Sequence, residues 1–120
     1  MIRQSTAALA LSALLVAAPV QAEEFSVTPL AGSAEEAFVF EGAGFTPGVV
    51  LNEAYVAPNG DKYSYFVRGD QAFVQVAEDG AFRVEVLLTR DIPGYLPGLW
   101  RAEYCYPGGE CWTVAFEVVP

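Results

Sequence analysis

From residue 23 onward the hydrophobic positions recur at every second residue, not every third or fourth. In Ala81 to Thr89, Phe82, Val84, Val86 and Leu88 alternate with Arg83, Glu85 and Thr89. That period predicts a strand with one buried and one wet face. Further runs rich in Val, Phe, Tyr and Trp cover Phe25 to Leu30, Ala37 to Glu41, Val49 to Ala57, Lys62 to Arg68 and Gln71 to Ala77. Trp100 to Tyr106 and Cys111 to Val119 complete the set. Between them stand turn signals: Gly42 to Gly48, Pro58-Asn59-Gly60-Asp61, Gly69-Asp70 and Glu78-Asp79-Gly80. Arg90 to Gly98 carries Pro93-Gly94 and Pro97-Gly98, which cannot sit in a central strand. Short strands punctuated at this spacing predict an all-β, immunoglobulin-like antiparallel β-sandwich of about seven to eight strands. A small open barrel is the competing reading.

The last two runs predict their own register. With Pro107-Gly108-Gly109 as the loop, Cys105 falls opposite Cys111, Tyr104 opposite Trp112, Ala102 opposite Val114 and Trp100 opposite Phe116. The last three pairs are apolar and share one face. The two cysteines fall on the other, with Arg101, Glu103, Thr113 and Glu117. Opposed residues in a non-hydrogen-bonded pair have Cα atoms ~4.5 Å apart, within reach of a disulfide. A Cys105–Cys111 bridge is therefore expected, as a structural link and not a redox-active pair. Phe82, Val84, Val86, Trp112, Val114, Phe116 and Val118 form the expected core, with Trp100 and Tyr104 beside them.

The first 22 residues follow another grammar. A basic start (Met1-Ile2-Arg3), an apolar run from Thr6 to Val20 and the small residues Val20 and Ala22 read as a signal peptide cut before Glu23. Residues 1–22 are thus an export leader and residues 23–120 one domain, placed in the periplasm or outside the cell with no membrane anchor after cleavage. Without the leader, five basic residues face fifteen acidic ones. Such a surface repels nucleic acid and anionic lipid.

The candidate chemistry is sparse. The chain has no histidine, so Ser–His–Asp and Cys–His arrangements are excluded and the commonest zinc ligand is missing. Glu35-Glu36, Glu53, Asp61, Asp70, Glu78-Asp79 and Asp91 read mostly as acids of turns and wet faces, unsuited to paired acid–base work. Asp61, Asp70, Glu78 and Asp79 have the hardness calcium prefers but not the spaced loop of an EF-hand. No catalytic residue, metal or cofactor is expected. Arg68-Gly69-Asp70 matches a tripeptide that integrins recognise, yet Gly-Asp is ordinary hairpin chemistry. The aromatic residues say more. Tyr63 and Tyr65 share one face of a run with Lys62 and Arg68 near its ends, as suits an edge strand. With Tyr55 on the neighbouring strand they make the expected binding surface.

Two resemblances follow. Phe40 to Gly48 (Phe-Glu-Gly-Ala-Gly-Phe-Thr-Pro-Gly), Pro58-Asn59-Gly60, Asp79-Gly80-Ala81-Phe82 and Pro97-Gly98-Leu99-Trp100 resemble the turn markers of bacterial immunoglobulin-like domains of secreted and surface proteins. Gly42-Ala43-Gly44, Asp79-Gly80 and the late Cys105–Cys111 hairpin are similar to the neocarzinostatin-type apoproteins, small acidic secreted sandwiches that carry an enediyne chromophore in a cleft. That group's second disulfide has no counterpart here, so no binding residue is carried over. The first resemblance implies an exported domain that binds non-covalently, or serves as a structural accessory, toward an unknown protein, glycan or small molecule. The second implies a small-molecule carrier with an aromatic-lined cleft.

Overall fold

The computed structural model describes residues 23–66 and 72–120. The expected leader and Arg68-Gly69-Asp70 lie outside the described residues.

Among the described residues nine strands form two layers. β1 (Glu24–Thr28), β3 (Phe38–Ala43) and β7 (Phe82–Val86) make one sheet in the order β1-β3-β7, antiparallel throughout. The larger sheet runs β2-β9-β8-β4, from β2 (Ala31–Ser33) through β9 (Cys111–Val119) and β8 (Gly98–Cys105) to β4 (Val50–Val56). β5 (Lys62–Tyr63) and β6 (Phe73–Gln75) both pair with β4, at opposite ends of its outer edge. The expected all-β sandwich is present, with one parallel pairing, β2 on β9. Ala31-Gly32-Ser33 carries no alternation to announce a strand, and it was not expected as one.

The terminal hairpin keeps the predicted register. Cys105 pairs with Cys111, Tyr104 with Trp112, Ala102 with Val114 and Trp100 with Phe116. Tyr106 N–H donates to the Glu110 carbonyl at 2.8 Å and closes the turn. The cysteines are bridged, with Cα atoms 4.0 Å apart. The bridge closes a loop of only a few residues, so a Cys111→Ala variant is expected to fold and lose about 2 kcal/mol. Urea unfolding of the two proteins checks this, and a loss above about 4 kcal/mol would give the bridge a larger role than loop closure.

Aromatic side chains dominate the core. Phe38, Phe40, Tyr55, Trp100, Tyr104 and Phe116 are all buried, and Phe116 lies 4.9 Å from Phe38 and 5.4 Å from Phe40 between ring centres. Phe82 stacks on Tyr104 at 5.4 Å. It also lies across its cross-strand partner Gly42, where any side chain would run into the Phe82 ring. Gly80 is held by its backbone: φ is +83°, and an added Cβ would sit 2.8 Å from the Phe45 carbonyl oxygen. Arg83 and Glu85 point outward as expected. Val84, Trp112 and Val114 are only half-buried, a correction to the expected core. Three strands at ~4.8 Å spacing cannot cover a sheet five strands wide, so its inner face stays partly open at Trp112 and Val114, while Val84 lies on β7, at the edge of the small sheet.

The other corrections concern acids. Glu53 and Asp91, read as residues of turns or wet faces, are 4% and 1% exposed. Leu88–Asp91 forms one helical turn, α1, where the strand period had run on. Asp91 folds back on that turn: its carboxylate accepts the Leu87 N–H at 3.0 Å and meets the Arg90 guanidinium at 2.7 Å. Buried carboxylates persist when they are partnered in this way.

Candidate functional site

In the larger sheet the core claims odd-numbered residues of β4 and even-numbered residues of β8 and β9. The opposite face, turned away from the small sheet, is therefore built by Asn52 and Ala54 of β4, Arg101, Glu103 and Cys105 of β8, and Thr113 and Ala115 of β9. This outer face carries two grooves. The first has a volume of about 280 Å³ and is floored by Asn52, Ala54, Glu103 and Cys105. Lys62, Ser64, Tyr65 and Ala72 wall it. The second, about 430 Å³, runs between Pro58 and Gly60 on one side and Leu99 and Ala115 on the other, with Val56 and Arg101 beneath. Two small residues help to shape the concavities, Ala54 in the floor of the first and Ala115 in the side of the second, since longer side chains there would fill them.

One large exposed aromatic side chain lines the first groove, and a second stands exposed next to Asn52 of its floor. Tyr65, on its wall, is 62% exposed. Phe73 is 52% exposed and pairs directly with Asn52, which puts both side chains on one face. Exposed rings beside a concavity are suited to hold an apolar ligand. Lys62 and Arg101 both reach the Glu103 carboxylate, at 3.3 Å each.

The predicted tyrosines separate. Tyr55 does not reach the surface. It is fully buried, because residues 51, 53 and 55 all face the core. Tyr63, its cross-strand partner, is half-buried with its ring 5.9 Å from Trp100. Only Tyr65 is open to solvent, because β5 ends at Tyr63 and the alternation does not carry through. Phe73 went unnoticed in the sequence although a signal existed: it shares parity with Gln71 and Gln75, so it is an aromatic on a polar face.

Beneath the first groove the inward side of β4 holds a polar cluster. The Tyr55 hydroxyl donates to Glu53 Oε2 at 2.5 Å and the Tyr104 hydroxyl to the same oxygen at 2.9 Å, while the hydroxyls lie 2.6 Å apart. Three oxygens in mutual contact need three hydrogens. An ionised Glu53 leaves only two, whereas a protonated Glu53, donating to one hydroxyl and accepting from the other, would supply the third. Burial raises the Glu53 carboxyl above its ordinary range, and the Asp91 charge adds to the rise, while the tyrosine hydrogen bonds oppose it. Burial also holds both tyrosines protonated.

A third concavity, about 500 Å³, opens beside Tyr106 at the hairpin tip, bounded by Glu23, Thr46, Val49 and Glu110. The Tyr106 hydroxyl is already engaged there by Thr46 N–H at 2.9 Å. It is the larger hollow but holds no strongly exposed ring, so the outer-face grooves are the better candidate.

No family model and no curated protein sequence matches the chain. Among solved structures it is similar to macromomycin, at 17% identity and a TM-score of 0.52, over 82% of this chain and 100% of that one. This likeness shows a shared fold and supports the neocarzinostatin-type resemblance. The bacterial immunoglobulin-like resemblance is not confirmed. A Pseudomonas fluorescens alkylpurine DNA glycosylase, AlkC, bound to DNA containing an abasic site analog, aligns with 81% of this chain and 29% of its own, at 17% identity and a TM-score of 0.46. That is too low for an argument.

Proposed function

We propose that this protein is an exported carrier that binds a small, partly apolar molecule non-covalently on the outer face of its larger sheet. The observation behind the reading is the pair of solvent-exposed rings, Tyr65 and Phe73, beside a groove with Ala54 and Cys105 in its floor. The first groove is close to the lower end of the ~300–1,000 Å³ usual for ligand sites, and the second is well inside that range. Rigid rings give contact area with little loss of side-chain entropy. The resemblance to the neocarzinostatin-type apoproteins supports the same reading, as does the disulfide, which suits an oxidising compartment. The polar groups in the grooves serve recognition, and no chemical step is assigned to them.

The test is a Tyr65→Ser, Phe73→Ser double variant titrated with the neutral fluorescent probe N-phenyl-1-naphthylamine. Both side chains are on the surface, so stability should change by no more than about 0.5 kcal/mol at each site. Wild type is expected to bind the probe and the double variant at least about tenfold more weakly, about 1.4 kcal/mol. Equal binding by the two folded proteins would move the site off this face.

A further inference from the structure

Only four cations stand among the described residues, Lys62, Arg83, Arg90 and Arg101, against fourteen acids. Two of the four converge on one carboxylate, and they do so in the floor and wall of the outer-face grooves. Lys62 Nζ contacts Glu103 Oε1, while Arg101 Nε and Nη2 both contact Oε2, all at 3.3 Å. Glu103 is largely covered, at 19% exposure, whereas Lys62 and Arg101 keep 58% and 52%. The acid is satisfied beneath and the cations face the solvent above it. A lysine ammonium has three donors and a guanidinium five, and most of these have no protein partner among the described residues. Lys62, Arg101 and Glu103 together carry one excess positive charge on a strongly acidic chain, and the other acid lining the first groove, Glu53, is buried. The next acid along this face, Glu117, lies opposite Leu99, beyond the Arg101 row. Solubility does not require cations here, and surface pairs of this kind contribute little stability.

We propose that the ligand is an amphipathic anion, with an apolar ring system against Tyr65 and Phe73 and a single carboxylate or sulfonate held between Lys62 and Arg101. The inference rests on the groove reading above and specifies its ligand class. Charge-assisted hydrogen bonds to a fork of arginine donors would fix the ligand's orientation, and the rings would supply contact area. An acidic protein surface disfavours anions at long range. Selectivity for an anion would therefore have to come from this one place.

The experiment uses a matched pair of probes, N-phenyl-1-naphthylamine and its charged counterpart 8-anilinonaphthalene-1-sulfonate, on the folded protein. The sulfonate is expected to bind at least fivefold tighter than the neutral amine. Lys62→Gln and Arg101→Gln should each weaken the sulfonate severalfold and leave the amine unchanged. Glu103→Gln removes the internal competitor for both cations, so it should tighten the sulfonate. A sulfonate that binds no better than the amine, or cation variants that weaken both probes equally, would overturn the anion assignment while the groove reading survives. Failure of both probes to distinguish wild type from the Tyr65→Ser, Phe73→Ser variant would overturn the groove reading itself.

Discussion

Replacing Phe116 with alanine is expected to cost about 3–5 kcal/mol. Phe116 is 2% exposed and stands where the two sheets meet. Its ring touches Phe38 and Phe40 of the small sheet at 4.9 and 5.4 Å and stacks on its cross-strand partner Trp100 at 6.2 Å. Rings on three sides cannot collapse into the space without leaving their rotamers, so the cavity persists and its cost adds to the lost transfer energy. A domain of this size has a total stability of only about 5–15 kcal/mol, so the expected loss is a large fraction of it. Urea denaturation followed by tryptophan fluorescence measures the effect, with the disulfide intact in both proteins. A loss below about 1 kcal/mol would mean that Phe116 is not at the centre of the core.

The sequence was most informative where two constraints agreed. In the terminal hairpin, the apolar parity of Trp100, Ala102 and Tyr104 and the need to bring Cys105 to Cys111 select the same pairing, and the structure keeps it. A slip of one residue would have broken both. Only one constraint acted on Lys62 to Arg68, its alternation. Nothing in a period-two pattern says where a strand leaves its neighbour, so Tyr63 and Tyr65, alike in sequence, end in different surroundings. Tyr55 illustrates a related limit. Its strand reads Leu51, Glu53, Tyr55 on one parity, and the acid in the middle made that face look wet. The partner that allows Glu53 inside is Tyr104, which is 51 residues away in sequence. Long-range satisfaction of a polar group is invisible to local patterning. The grooves were hidden for the same reason. Their floors come from residues of two strands distant in sequence, β4 and β8, and their best marker, Phe73, needed its parity compared with that of its neighbours.

Glu53 carries the other large expected effect. Alanine at this position removes the oxygen that takes both tyrosine hydroxyls and leaves one of them without an acceptor inside the core, at a cost of about 1–3 kcal/mol. Glutamine retains a hydrogen-bonding group of the same size but cannot titrate, so it isolates the proton. Because the folded-state value of Glu53 is raised, the folded chain still holds this proton where the unfolded chain has released it. Its contribution to stability is therefore full below the ordinary carboxylate range and is lost as pH rises through the folded-state value. The other acids of this chain also respond to pH, so the informative quantity is the difference between wild type and Glu53→Gln. Measured by urea unfolding from about pH 4 to about pH 8, wild type is expected to lose ground steadily against the variant as the pH rises. A difference that stays flat over that range, or that grows in favour of wild type, would show that Glu53 is ionised in the folded protein. The ring of three oxygens would then hold two hydrogens, and the polar cluster under the groove floor would carry a buried negative charge.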